Sequence, residues 1–318
     1  NSVGPAHYKI WHNTATCGTF GAAYAAGSLL GLGKTQLRDA LGNAGTQSSG
    51  LWEFSSSGTM SKHLHAGCAG QSGLLAADLA SLGFSGSPTI LEGTRGFYAA
   101  CCPDANPAAL FEDPENSWQI HNTSIKPWPC CRHTHPAIDA ALELSNSLNV
   151  EDIDKIEIGV TQAALDVCDK PTPKTLYDAK FSLQHCVSIA ILRGQVGFDS
   201  FESEARRQAS ICAQKISLKC NKDIEKAYPD AWGVEVKVNL LNGKVHRVHR
   251  KHTKGDPEAR LSSIEMCEKA KMLFRYGGVA NAEDWIDCIL GLSRESSFLK
   301  CDLISLLNVS SKESGKIA

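Results

Sequence analysis

The sequence of 318 residues contains no apolar run of transmembrane length and no apolar core of a secretory signal. Its net charge of -2 gives no basic field that would attract nucleic acid or an anionic membrane, so we expect neither as a partner. The first residue is Asn1 instead of Met, so we expect that any targeting signal lies upstream. We expect a cytoplasmic protein, or one of the mitochondrial matrix in a eukaryote.

The sequence also lacks the usual motifs for nucleotides and for activated serine: it has no P-loop, no G-x-G-x-x-G after a strand and no G-x-S-x-G elbow. Thirteen cysteines are many, but the number is odd and no C-x-x-C pair occurs, which favours a reducing compartment over a disulfide framework. His63 and His65, and the cysteines and histidines of residues 130–135, match no standard zinc spacing. We therefore expect neither metal nor cofactor, and chemistry carried by side chains alone.

Residues 126–136 (KPWPCCRHTHP) place two cations, two thiols and two histidines on a stiff backbone. Pro127 and Pro129 disfavour helix and predict an extended segment, and Pro136 suits the first turn of a following helix. A rigid segment that leads into a helix N-terminus is a good place to bind an anion. The alternative is a surface loop whose polar side chains are exposed to solvent and bind nothing.

The pattern of apolar residues predicts a mainly α fold with an α+β part. Charged residues make up 21% and apolar residues 42%, and the length favours two domains. We predict a helical domain at 1–123, an α+β lid domain at 124–257 and a return to the helical domain at 258–318. Helical spacing and strand alternation predict the following elements: helices at 67–82 (ended by Gly83), 182–192 (ended by Gly194), 262–274 and 282–292, and strands at 153–160, 232–240 and 244–248, the last two joined by a turn at 242–243.

Two clusters in the first half carry titratable groups. Asn13 or Thr14 is expected to cap the first long helix, which leaves His12 beside its N-terminus as a nearly neutral base or carbonyl partner, or as a capping-loop histidine. Lys62, with His65 nearby, lies between glycines at a helix entrance and could bind a carboxylate or form a solvated turn. The basic residues 244–252 are interpreted as a solvated strand end.

Five stretches, in this order along the chain, resemble the MmgE/PrpD family: 11–16 (WHNTAT), 60–67 (MSKHLHAG), 126–135 (KPWPCCRHTH), 179–185 (AKFSLQH) and 254–257 (KGDP). The family includes 2-methylcitrate dehydratase, cis-aconitate decarboxylase and iminodisuccinate epimerase. The resemblance implies an all-helical domain with a smaller α+β lid domain, a homodimer, and a cofactor-free site between the domains. It also implies a further N-terminal helical stretch, with an acidic residue and a histidine for the pocket, that these residues do not include.

By the same resemblance, His12, Lys62 and Lys126 match active-site positions of the family. His185 stands where the decarboxylase branch has tyrosine, and Cys131 where that branch has histidine, which favours the other branches. We therefore take two sets of candidate residues: catalytic His12, Lys62, Lys126 and His185, and substrate-binding Thr14, His65, Cys131, Arg132, His135 and Gln184.

These residues suit a small di- or tricarboxylate substrate. Lys62, Lys126 and Arg132 could neutralise its carboxylates and stabilise the enolate-like species formed when an α-proton leaves, while His12 or His185 removes that proton. We expect a cofactor-independent hydro-lyase acting on a 2-methylcitrate-like substrate. The alternatives are an epimerase of an imino- or aminodicarboxylate, and a truncated, non-catalytic member of the family.

Overall fold

A computed structural model of the protein describes residues 2–54, 59–112, 118–279 and 281–291. The chain divides into two compact units, residues 1–117 (unit 1) and 118–318 (unit 2). The described residues are mainly helical with one four-stranded sheet, which confirms the predicted fold class. The assignment of 258–318 to the helical domain stays a prediction. Residues 292–318, which include the last residue of the final predicted helix, lie outside the described residues.

Unit 1 is built from helices rich in alanine and glycine. Small buried side chains let these helices approach closely, and Ala23, Ala44 and Ala76 are each fully buried in one shared cluster. The α-helices are α1 (Pro5–Ile10), α2 (Asn13–Leu29), α3 (Lys34–Gly45), α4 (Ser61–Ser81) and α5 (Phe97–Cys101), and a 3-10 helix covers Pro107–Leu110.

The beginnings of two helices differ from the sequence prediction. Neither Asn13 nor Thr14 caps α2, so that prediction is wrong: His12 is the N-cap residue, and Asn13 and Thr14 lie in the first turn. The reason is that the backbone carbonyl of His12 already accepts from the N–H groups of Ala15 and Thr16, at 2.8 and 3.1 Å. Helix α4 begins at Ser61, six residues before the predicted start, so its first turns contain the predicted cationic cluster.

Unit 2 contains a mixed sheet in the order β2-β1-β3-β4. β1 pairs in parallel with β2 and antiparallel with β3, and β3 and β4 form an antiparallel hairpin. The three predicted strands are confirmed, with β3 starting two residues later than expected. The short edge strand β2 was not predicted. Its residues do alternate between apolar and polar side chains, but over only five positions, and all of them are half-buried or exposed. The strands are β1 (Ile153–Val160), β2 (Ile216–Cys220), β3 (Val234–Leu240) and β4 (Val245–Arg250).

Helices cover this sheet and complete the core of unit 2. The α-helices are α6 (His135–Ser145), α7 (Gln162–Cys168), α8 (Leu176–Ala179), α9 (Leu183–Arg193), α10 (Ser203–Ala213), α11 (Lys222–Ala227), α12 (Ser263–Tyr276) and α13 (Ala282–Gly291), with 3-10 helices at Gln119–Asn122, Arg132–Thr134, Val150–Asp152 and Phe198–Phe201. α6 packs on β3, β4 and α9. As predicted, Pro136 lies in the first turn of α6, and Gly194 ends α9 in a left-handed conformation. Ile156 and Ile158 on β1 are fully buried, which stabilises the fold by about 1.5–3 kcal/mol for each side chain.

Within the described part of the chain, every helix is too short or too polar to span a lipid bilayer.

Candidate active site

In unit 1, the structure brings three predicted site residues together: His12, Lys62 and His65. The Nδ1 atoms of His12 and His65 are 3.0 Å apart, at hydrogen-bonding distance. Lys62 lies one helical turn before His65 on α4, and its Nζ is 5.5 Å from the centre of the Trp52 ring. His12 is only 8% exposed, whereas Lys62 is exposed and His65 half-buried. The cluster therefore opens to solvent on the side of the lysine.

Aromatic rings form the walls around the two imidazoles. The ring centre of Trp52 lies 4.8 Å from that of His12, and the Phe54 ring lies 6.0 Å from His12 and 5.4 Å from His65. Low-polarity walls of this kind exclude water and strengthen the electrostatic interactions inside them.

Backbone pairing explains why Trp52 reaches His12. The His12 N–H donates to the Gly50 carbonyl at 2.9 Å, and the Trp52 N–H donates to the Ile10 carbonyl at 3.1 Å. A Cβ on Gly50 would lie 2.3 Å from the Ala15 side chain and 3.4 Å from the His65 ring, so only glycine allows this close approach.

The electrostatic environment favours the neutral form of His12. Burial lowers the pKa of His12 below its ordinary value, and the positive charge of Lys62 and the proximity of His65 lower it further. A neutral imidazole can accept a proton at neutral pH. The geometry thus combines a proton acceptor with a neighbouring cation.

In unit 2, Lys126 and Arg132 line one cavity of about 400 Å³. The Lys126 ammonium donates to the Cys130 carbonyl at 3.1 Å, so its charge is not neutralised by that partner. Arg132 pairs with Asp256, and its guanidinium carbon lies 5.6 Å from the centre of the Trp232 ring. The other lining residues include both polar and acidic groups: Asn122, Ser124, Pro229, Asp230, Ala231, Trp232, His252, Asp256, Pro257 and Glu258.

Asp256 organises this cavity. Its carboxylate accepts from the Ser124 hydroxyl at 2.7 Å and from the Thr253 N–H at 2.9 Å, in addition to Arg132. Burial raises the pKa of Asp256, but these donors and the arginine charge outweigh burial and hold that pKa below its ordinary value. The carboxylate therefore stays ionised and fixes Arg132.

The extended segment that carries Lys126 is held by the neighbouring turn. The Ile125 N–H donates to the Gly255 carbonyl at 2.8 Å. Gly255 has φ +93°, and a Cβ there would lie 2.0 Å from the Ile125 carbonyl oxygen. Glycine is thus required where the KGDP turn meets the segment.

The other predicted site residues of unit 2 lie away from the cavity lining. His185 is 1% exposed, and its Nε2 is 2.8 Å from the Ser200 carbonyl oxygen, so burial lowers its pKa within the core. Gln184 donates to Asp169 at 2.6 Å, and His135 is fully buried against the edge of Trp128. Cys131 is half-buried and packs against the core.

Thr14, the remaining predicted substrate-binding residue, is exposed in the first turn of α2.

Sequence reasoning missed four residues that shape these two groups: Trp52, Phe54, Trp232 and Asp256. Asp256 had a signal, since it belongs to the KGDP stretch that carries the family resemblance. The aromatic residues had none, because they reach their histidine or arginine partners only through the folded chain. Among the residues that the structure describes, no group of three or more His, Cys, Asp or Glu side chains could hold a metal ion.

Comparison with known proteins agrees with the resemblance seen in the sequence. Cis-aconitate decarboxylase of Mus musculus is 27% identical over 250 residues, which cover 74% of this chain and 49% of the relative. Cis-aconitate decarboxylase of Homo sapiens is 29% identical over 249 residues, which cover 74% of this chain and 50% of the relative. That of Aspergillus terreus is 29% identical over 172 residues, 50% of this chain and 35% of the relative. The chain thus spans about half the length of the mammalian relatives it matches.

The profile of the MmgE/PrpD N-terminal domain matches residues 1–110, and that of the MmgE/PrpD C-terminal domain matches residues 128–290. These matches lie in both units and together cover most of the chain, which therefore belongs to the MmgE/PrpD family.

Proposed function

We propose that this protein is a cofactor-independent lyase that acts on a small polycarboxylate, with 2-methylcitrate or a similar hydroxytricarboxylate as the leading substrate. The observation that carries the proposal is the buried, neutral His12 bonded to His65 beside Lys62. Membership of a family whose relatives include cis-aconitate decarboxylases supports the same substrate class.

His12 is the proposed base that removes the α-proton. If the His12 Nδ1–H donates to the Nδ1 of His65, the Nε2 of His12 is left as a lone-pair acceptor. His65 then orients the ring and shares the charge that develops on it. We assign this tautomer because the opposite one would place a hydrogen on the Nε2 of His12 and remove its basic site.

Lys62 is the proposed partner of a substrate carboxylate near His12. In the absence of substrate, its charge lowers the pKa of His12. A bound carboxylate neutralises that charge, so the proton affinity of His12 rises when substrate is present. The same cation stabilises negative charge as the proton leaves.

In unit 2, Lys126 is the proposed carboxylate-binding cation of the cavity, because its hydrogen-bond acceptor is a neutral carbonyl. Arg132 already pairs with Asp256, so its guanidinium is fixed in place and adds a partly neutralised positive charge to the cavity wall. A volume of about 400 Å³ is adequate for a molecule of this size.

The test compares His12→Gln with the unchanged protein, using the complete gene product. We expect kcat for dehydration of 2-methylcitrate to fall by about 10²–10⁴-fold, the usual contribution of general acid-base catalysis, with little change in substrate affinity. The control is His63→Gln, an exposed histidine on α4, the helix that carries Lys62 and His65, and this variant should keep full activity.

The comparisons favour decarboxylation of cis-aconitate as a second candidate. Release of carbon dioxide from cis-aconitate, with no dehydration of 2-methylcitrate, would support it over the first. Exchange of solvent deuterium into an iminodicarboxylate without elimination would support an epimerase instead. Binding of polycarboxylates without turnover of any of them would overturn the enzymatic proposal and support a non-catalytic protein.

A further inference from the structure

Unit 2 holds a group of thiols that the proposed mechanism does not use. Cys130, Cys168 and Cys186 are buried in its core, and Cys131 is half-buried against the same core. They form two contacting pairs, Cys131 with Cys168 and Cys130 with Cys186. All four are free thiols.

The Cys131–Cys168 pair joins two elements of unit 2. Cys131 is the N-cap residue of the 3-10 helix Arg132–Thr134, and Cys168 is the last residue of α7, which packs against that 3-10 helix. The Cys131 N–H donates to the Lys180 carbonyl at 2.9 Å, which fixes the backbone at the first thiol.

The two thiols of this pair differ in acidity. Contact with the Cys168 thiol lowers the pKa of Cys131, and although burial raises it, the His133 N–H and the Lys126 ammonium lower it further. The same contact and burial raise the pKa of Cys168. A nearby lysine and partial exposure to solvent are surroundings that make a cysteine reactive, and Cys131 has both. Cys131 is also the more exposed of the two sulfurs, since it is half-buried and Cys168 is fully buried, so an oxidant in solution meets Cys131 first.

The other pair lacks access to solvent. Cys130 is 6% exposed and contacts the Thr134 hydroxyl at 3.2 Å, and Cys186 is 1% exposed. An oxidant in solution would reach Cys131 before either of these sulfurs.

We propose that Cys131 and Cys168 form a hydroperoxide-sensitive pair, in which Cys131 is the attacking sulfur and Cys168 the resolving sulfur. The Cys131 thiolate attacks the outer oxygen of a hydroperoxide, the O–O bond breaks, and the alkoxide or hydroxide takes up a proton and leaves. Cys131 is now a sulfenic acid. The Cys168 sulfur then attacks the Cys131 sulfur, the S–O bond breaks, and water leaves with the Cys168 proton. In sum, two thiols and one hydroperoxide give one disulfide, one alcohol or water, and one water.

The test treats the reduced protein with hydrogen peroxide and maps its peptides by mass spectrometry. We expect a linked pair of peptides containing Cys131 and Cys168, with a loss of two hydrogen atoms, which dithiothreitol reverses. In Cys168→Ser, the sulfenic acid at Cys131 has no resolving partner, so dimedone should label Cys131. These readouts do not depend on catalytic activity.

Cys220, an exposed cysteine at the end of β2, provides the matched control. Its replacement by serine should leave the Cys131–Cys168 disulfide and its rate of formation unchanged. The proposal is overturned if peroxide oxidises Cys220 at least as fast as Cys131, if Cys131 links to a different cysteine, or if Cys168→Ser takes up no dimedone at Cys131.

Discussion

The imidazole of His12 is kept in its neutral form, as a base requires, because three effects lower its pKa. Burial, the charge of Lys62 and the proximity of His65 all disfavour the imidazolium, so its pKa lies below the ordinary 6.5. Lys62 is the only fixed charge among these causes. Its removal therefore offers the sharpest test of the electrostatics.

We predict that Lys62→Met moves the acidic limb of the pH profile to higher pH. Below the pKa of His12 the ring is protonated and cannot accept a proton, so kcat/KM should rise with pH through that pKa. Without the lysine charge the imidazolium is less disfavoured, and the pKa of His12 should rise. NMR titration of the His12 ring protons measures the same shift without turnover.

Lys34→Met is the matched control for this change, since Lys34 is an exposed lysine in the first turn of α3. It should leave the His12 titration in place. An unchanged titration in Lys62→Met would mean that the lysine charge does not act on the imidazole, and the proposed pairing of substrate carboxylate and base would lose its support.

At this scale the sequence predicted the charged residues better than their surroundings. His12 and Lys62, which the family resemblance assigned to one site, lie close together with His65, but the rings of Trp52 and Phe54 beside the imidazoles come from a segment about 40 residues after His12. His185 looked like a catalytic histidine, yet it sits on a helix buried almost all round, where periodicity cannot distinguish an inward polar side chain from a site residue.

At the scale of elements, the segment that carries Lys126 depends on a turn more than 100 residues away. We predict that Gly255→Ala disturbs this segment, because a Cβ would lie 2.0 Å from the Ile125 carbonyl oxygen. The left-handed conformation alone costs about 1–2 kcal/mol for a residue with a Cβ, and the collision adds to that. Urea denaturation should show a lower free energy of unfolding, and polycarboxylate binding should weaken because Lys126 moves.

Gly243→Ala separates the two effects. Gly243 has φ +84° in the β3–β4 turn, but nothing lies within 4 Å of an added Cβ. The Gly243→Ala variant should lose only the stability that the left-handed conformation costs, and it should bind polycarboxylates as the unchanged protein does. Equal losses of stability in the two variants, with equal binding, would show that the contact between Gly255 and Ile125 does not position the segment.

The elements themselves were predictable wherever the local pattern was strong. The alternation of β1 and β3, the Asn-Gly turn and the glycine that ends α9 were all readable in the sequence. The apolar spacing missed the true start of α4 because polar residues occupy its first turn. Helix α2 begins at Asn13 because the N–H of His12 donates to the Gly50 carbonyl while the carbonyl of His12 already accepts helical hydrogen bonds. Such starts depend on contacts that no local pattern records.

At the scale of the whole molecule, the pH dependence of folding reports on ionised groups that join distant parts of unit 2. Asp256 connects to Ser124 and Arg132, which are 132 and 124 residues away in the chain. Its pKa is lower in the folded protein than its ordinary value. A carboxyl of this kind contributes stability above its unfolded pKa, and that contribution is lost as pH falls through the folded pKa.

We predict that Asp256→Asn destabilises the protein by about 2 kcal/mol near neutral pH, within the range for hydrogen bonds to a charged group. The asparagine keeps one acceptor oxygen, but its amide donors face the Thr253 N–H or the Arg132 guanidinium. As pH falls below the ordinary carboxyl pKa, Asp256 becomes protonated and the unchanged protein loses the stability that its carboxylate contributes. The unfolding free energies of the unchanged protein and of Asp256→Asn should therefore converge at acidic pH.

Glu204→Gln tests whether this pH dependence is specific. The Arg207 guanidinium also holds the pKa of Glu204 below its usual range, but both side chains are exposed on α10, where solvent screens the pair. The unfolding free energy of Glu204→Gln should equal that of the unchanged protein at every pH. If the gap for Asp256→Asn were instead constant from neutral to acidic pH, the loss would come from packing, and the carboxylate charge would have no measurable part in holding Ser124 and Arg132 together.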